Sequence, residues 1–260
     1  MNPKHIRDSS LMCVDPVSQE NSMKRQIFRM IAAKSFALVV LLGVAWQAQG
    51  QNAKTLYPSM APLEQYLIAD RNAEIALARS AAPESISHDA EVLVLGQHGY
   101  ETAVKGKNGF VCMVLRSWTA GIDDPDFWNP KLRAPHCFNP PAARSYLPLV
   151  IKKTDLILAG QSKAQMFDSI KAAFDKKELP AQEPGAMCYM LSRQGYLNDS
   201  VGHWHPHLMF FVPQTDAITW GADLPGSPIL ASDDPQDRLT IFMIPVAKWS
   251  DGTADRADEH

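Results

Sequence analysis

Two periods of apolar residues alternate along the chain, one near 3.6 and one near 2. Met166, Phe167, Ile170, Ala173 and Phe174 recur at helical spacing and predict a helix over 163–178. Ser162 with Gln165 three residues on makes a capping box at its start, and Pro180 closes it. A second helix is expected over 62–80, from Leu63, Tyr66, Leu67, Ala73 and Leu77, although Asp70 and Glu74 interrupt the apolar face. Residues 142–159 fit a helix through Leu147, Val150, Ile151, Thr154 and Leu158, with Pro148 either kinking it or sitting in its first turn. Strands are expected at 90–95, 100–105 and 110–116. They read as an antiparallel meander, its second turn carried by the hairpin signal Asn108-Gly109. Further strands are expected at 186–193, 207–213 and 239–246. Between 117 and 141 runs a proline-rich loop that Trp118, Phe127, Trp128 and Phe138 would pin to the body. Strands come in runs rather than alternating with helices. That predicts a single α+β domain over 51–249: an antiparallel sheet of about six strands packed against two or three helices. The small polar stretch 250–260 reads as a flexible tail.

The N-terminal pattern changes the picture. Lys24, Arg25, Arg29 and Lys34 precede an uncharged segment, Ser35 to Trp46, well short of the ~20 apolar residues that span a bilayer. With Ala48 and Gly50 at −3 and −1 of a cut before Gln51, residues 1–50 read as an extension plus a cleaved signal peptide, Met23 giving a signal of ordinary shape. The expected product is exported, periplasmic or secreted, with no stable membrane span after cleavage. A formal net charge of −3 gives no global attraction to nucleic acid or anionic lipid. Downstream of the cut stand Cys112, Cys137 and Cys188, an odd set whose pairing the spacing leaves open; no CxxC suggests a zinc ribbon or redox pair.

Four segments, Asn108-Gly109-Phe110-Val111-Cys112, Pro135-His136-Cys137, Gly185-Ala186-Met187-Cys188-Tyr189-Met190 and Pro206-His207-Leu208-Met209-Phe210-Phe211, resemble segments of uncharacterised exported bacterial proteins. The resemblance implies export and a shared fold, and no chemistry. It also implies a Cys112–Cys137 disulfide, worth ~3 kcal/mol in the chain-entropy model.

Candidate chemistry centres on Gly202 to Val212, which holds three of the eight histidines. In an extended chain His203, His205 and His207 share one face. Two of them, joined by His98 or His136, would make a three-ligand zinc or copper site and a metal-dependent hydrolase. The plainer reading makes them hydrogen-bonding partners at a strand entry. Gly160-Gln161-Ser162-Lys163-Ala164 has the outline of a nucleophile elbow, with Asp199 and one of the three histidines completing a serine-hydrolase triad, but Ser162 also serves as a helix cap. Cys188 among Met187, Tyr189 and Met190 reads as a buried apolar residue rather than a nucleophile. Met187, Met190, Met209 and Met243 read as core, and the Asp123–Asp126 and Asp233–Asp234 clusters as solvated turns rather than calcium loops. The expected function is therefore a non-catalytic exported protein that binds a ligand or partner, with the metal hydrolase as the alternative.

Overall fold

The structure is a computed structural model and describes residues 56–256; the expected signal peptide and its cut lie outside the described residues. Eight strands form: β1 (Glu91–Gly96), β2 (Gly99–Val104), β3 (Val111–Leu115), β4 (Ala134–Phe138), β5 (Met187–Met190), β6 (His207–Pro213), β7 (Leu230–Asp234) and β8 (Leu239–Pro245). They join in one sheet ordered β2-β1-β3-β4-β5-β6-β8-β7. The helices are α1 (Arg71–Arg79), α2 (Glu84–Ser87), α3 (Pro140–Ser145), α4 (Leu147–Leu158) and α5 (Lys163–Asp175). The α+β class holds, with more strands than the six expected. Among the described residues no helix is long and apolar enough to cross a membrane.

The sheet is mixed rather than antiparallel, because β3 pairs in parallel with β1. The Asn108-Gly109 segment does not close a hairpin. It carries the chain from β2 across the start of β1, held by Lys107 N–H on Asp89 O and Glu91 N–H on Phe110 O. Gly106 makes this crossing possible, since a Cβ there would lie 2.2 Å from the Glu91 nitrogen. The two strands absent from the expected set have physical reasons for escaping a pattern search. β4 contains Pro135, which breaks strand propensity, and β7 is an acidic edge strand of sequence LASDD.

Each face of the sheet has its own cover. On one, α1 lies against Val92, Val94, Cys112, Val114 and Cys137, with Ala78, Ala81 and Ala82 small enough for close approach. On the other, α3, α4 and α5 bury Leu147, Val150, Ile157, Met166 and Ile170 against Val111, Met113, Phe138, Cys188 and Phe211. Cys112 and Cys137 are direct cross-strand partners and are disulfide-bonded. The bond therefore ties neighbouring strands three residue pairs away from the Leu115–Ala134 pair at which the 117–133 loop begins and ends. Cys188 stays free and buried. Cys137 pairs with Tyr189, so Cys188 faces away from the disulfide, into the helix-covered side.

The expected 62–80 helix divides into a single 3-10 turn (Leu63–Gln65) and α1. Tyr66 closes the first and Asp70 caps the second, accepting from Asn72 N–H at 2.8 Å and Ala73 N–H at 3.3 Å. The ambiguous 142–159 stretch lies in α3 and α4, and Pro148 sits in the first turn of α4. Beyond Trp249 the chain is held rather than frayed as far as it is described. Trp249 is buried, its backbone N–H bonds Thr253 O, Ser250 N–H bonds Leu191 O, and the Arg193 guanidinium lies 5.4 Å from the Trp249 ring.

Candidate functional site

Strand register assembles a row of side chains that no sequence spacing links. Met113 pairs with His136, and Met190 with His207. Since Cys137 pairs with Tyr189, His136 stands next to Met190. Met113, His136, Met190 and His207 thus cross four adjacent strands on one face, with Met209 in the neighbouring row. Helices α3–α5 cover this face only at the Phe138–Phe211 end. The uncovered end, walled by the 116–124 loop, Leu197 and Trp204 and rimmed by Asp233 to Gln236, is a cleft of about 560 Å³. That size lies within the roughly 300–1,000 Å³ of small-molecule sites.

Polar atoms in the cleft are few and aimed. His136 Nδ1 lies 2.9 Å from Ala134 O, and His207 Nδ1 lies 2.7 Å from His205 O. A carbonyl only accepts, so each Nδ1 carries the proton and each Nε2 presents a lone pair. Neither Nε2 has a partner among the described residues. Both rings are more than nine-tenths buried. Burial lowers the affinity of His136 for a second proton, to a pKa of about 4, with the neighbouring His207 adding to the effect. His207 is pushed down as well, first by burial. The phenol of Tyr146 stands in the same wall, stacked on Phe211 at 3.8 Å and kept protonated by burial. Trp204 presents an edge to His207 at 4.7 Å.

The expected metal site does not form. Among the described residues no group of three or more His, Cys, Asp or Glu side chains is placed to hold a metal ion. β6 begins only at His207, so the strand alternation that would align the three histidines is absent upstream of it. His203 packs at 5.6 Å from Trp249, and His205 Nδ1 bonds Asp255 at 2.7 Å. His98 is exposed in the β1–β2 turn, four strand intervals from β6, or roughly 19 Å. His136 and His207 alone face the cleft, with Met190 between them. The described residues therefore assemble no three-ligand zinc or copper site, and the hydrolase that would be built on one has no metal centre.

The serine elbow fails on geometry too. A helix, α4, precedes Ser162 where the motif needs a strand, and the Ser162 hydroxyl is engaged with Gln165 in a complete capping box. Asp199 bonds Tyr57, Tyr196 and Lys131 rather than a histidine. For Cys188, burial holds the thiol well above its ordinary pKa, the opposite of a reactive cysteine.

Sequence reading placed His136 and His207 among the candidates but missed Met190, Trp204, Tyr146 and Ser117, whose buried hydroxyl has no partner. The one sequence signal available was the alternation His207, Met209, Phe211, which puts three cleft and core residues on one face. Comparison with family models, curated proteins and solved structures returned no match for this chain.

The tautomer assignment has a direct check. Long-range nitrogen–proton correlation spectra should show the proton of each neutral ring, His136 and His207, on Nδ1, with His136 titrating only near pH 4 and His207 below the ordinary histidine range. A depressed native pKa means the unfolded chain binds the extra proton more readily. Stability from His136 is thus present above about pH 6.5 and lost as pH falls toward about 4.

Proposed function

We propose that the protein is an exported, non-catalytic binding protein that holds a small ligand in the cleft beside His136 and His207. The observation that carries this reading is the pair of Nε2 atoms, carried on two buried histidines and unpartnered among the described residues, that open onto a largely apolar hollow. A small number of convergent polar groups in an apolar cavity is what fixes a ligand's orientation. The N-terminal pattern and the resemblance to exported bacterial proteins support export.

Binding fits better than catalysis. A general base works best with a pKa near the operating pH, and His136, at about 4, is too weak at neutral pH. Neither cleft imidazole is oriented by a carboxylate, because both Nδ1–H groups go to backbone carbonyls.

A thermal-shift screen of small molecules against the full chain tests the proposal. Ligands that raise the melting temperature should lose at least tenfold in affinity with Met209→Trp, which fills the cleft floor, while that variant still unfolds cooperatively. A screen without stabilising ligands, or ligands indifferent to Met209→Trp, would overturn it.

A further inference from the structure

Resting on that reading of the cleft, we propose that its ligand is a small amphiphilic cation: a hydrogen-donating group at the buried end, an apolar body, and an ammonium toward the mouth.

Three independent features define these parts. At the buried end, His136 and His207 each offer a lone pair on Nε2, since their Nδ1 protons are committed to the Ala134 and His205 carbonyls. With both rings neutral near pH 7, neither supplies an N–H to the cleft. A carboxylate or phosphate oxygen placed there would meet lone pair against lone pair. An O–H or N–H satisfies what is unsatisfied. The Tyr146 hydroxyl, able to donate or accept, tolerates either partner and does not reverse this preference.

The middle of the cleft is thioether and indole. Met190, Met209 and Met243 lie across adjacent strands under Trp204. Polarizable sulfur and an aromatic edge suit an aromatic or alkyl body.

The mouth is acidic. Asp123 and Asp124 come from the loop, Asp233 and Asp234 from β7. Among the described residues Asp124 accepts from Asp126 N–H, Asp233 from Thr240 and Gln214, and Asp234 from Asp237 N–H, with the Asp237 carboxyl beside it. Among the described residues Arg116 is the one cation in the cleft lining, and its guanidinium is fully buried and spent on Glu74, Tyr66 O and Val114 O. A low-dielectric cleft with such a rim concentrates cations and repels anions.

Calorimetry of the full chain with four probes decides the matter: tyramine, phenethylamine, p-cresol and 4-hydroxyphenylacetate. Tyramine carries all three parts and should bind tightest. Loss of its phenol O–H, in phenethylamine, or of its ammonium, in p-cresol, should each weaken binding about tenfold, and the carboxylate should not bind measurably. His207→Phe should collapse the tyramine-to-phenethylamine ratio toward one, a change that general damage to the cleft would not make because it weakens both. Asp123→Asn with Asp124→Asn should weaken tyramine and leave p-cresol alone. Equal or tighter binding of p-cresol or the carboxylate overturns the inference, as does silence from every probe at about 1 mM. If a screened ligand sensitive to Met209→Trp exists while tyramine stays silent, the ligand class is wrong and the cleft reading stands. If no such ligand exists either, both fall.

Discussion

Glu74→Ala is expected to lower the stability of the domain by about 3–5 kcal/mol, the cost of stranding one half of a buried ion pair. Glu74 is 1% exposed and Arg116 is 0% exposed. Glu74 Oε1 accepts from Arg116 Nη2 at 2.8 Å and from Leu95 N–H at 3.2 Å. Arg116 spends its other donors on the Tyr66 and Val114 carbonyls. One carboxylate oxygen therefore links α1 to β1 and to the end of β3. Deleting it leaves a guanidinium in a water-excluded site and orphans an amide as well. For a chain of this size the loss corresponds to a fall of about 10 °C or more in melting temperature. Urea unfolding followed by tryptophan fluorescence measures it. Glu74→Gln keeps hydrogen-bond acceptance without the charge and should fall between wild type and Glu74→Ala. The double variant Glu74→Leu with Arg116→Met removes both charges together and should be closer to wild type than Glu74→Ala is. If Glu74→Ala and the double variant cost the same, the two groups are not coupled and no stranded charge accounts for the loss.

How far such features show in a sequence depends on whether their cause is local. The Ser162–Gln165 box and the stripe from Met166 to Phe174 are local, and α5 stands where they place it. Asp70 and Glu74 looked like flaws in one amphipathic helix. Both have structural roles. Asp70 caps α1, and Glu74 points inward because its cation, Arg116, arrives from 42 residues away. Nothing near Glu74 announces that partner. Asn108-Gly109 does turn the chain, yet a turn signal carries no information about which strand lies beyond, and here β1 intervenes. The cleft is the extreme case. His136 directly follows Pro135, a strand breaker, and so reads as loop, while its face-mate Met190 is fixed by the β4–β5 register. Spacing could nominate histidines; only long-range pairing selects His136 and His207 and sends His205 to Asp255 instead.

Lys153→Met should be the variant whose damage depends on pH. Lys153 in α4 and Asp237 in the β7–β8 turn form an ion pair in which the two side chains are 1% and 3% exposed. The ammonium also sits 5.0 Å from the centre of the Phe167 ring. Asp237 Oδ1 has no partner, and burial pushes this carboxyl up to about 6 even with the lysine in place. A native pKa above the unfolded value of about 3.9 means that folding favours the protonated acid. The resulting penalty is absent below about pH 4, grows as pH rises toward 6, and is full above it. Without Lys153 the carboxyl loses the cation that opposes burial and the neighbouring Asp234, so its native pKa climbs further and the penalty keeps growing past pH 6. The expected destabilisation is small near pH 4 and about 3–5 kcal/mol at pH 8, where the charge must stay buried alone. His136 contributes a pH dependence of opposite sign, but it is common to both proteins and cancels in the difference between them. Adding Asp237→Asn to Lys153→Met should flatten the profile, since the amide does not titrate. Urea midpoints of wild type and the two variants across pH 4–8 supply the measurement. A destabilisation by Lys153→Met that is the same at both ends of that range would show that the lysine acts through packing on Phe167 and not through its charge on Asp237.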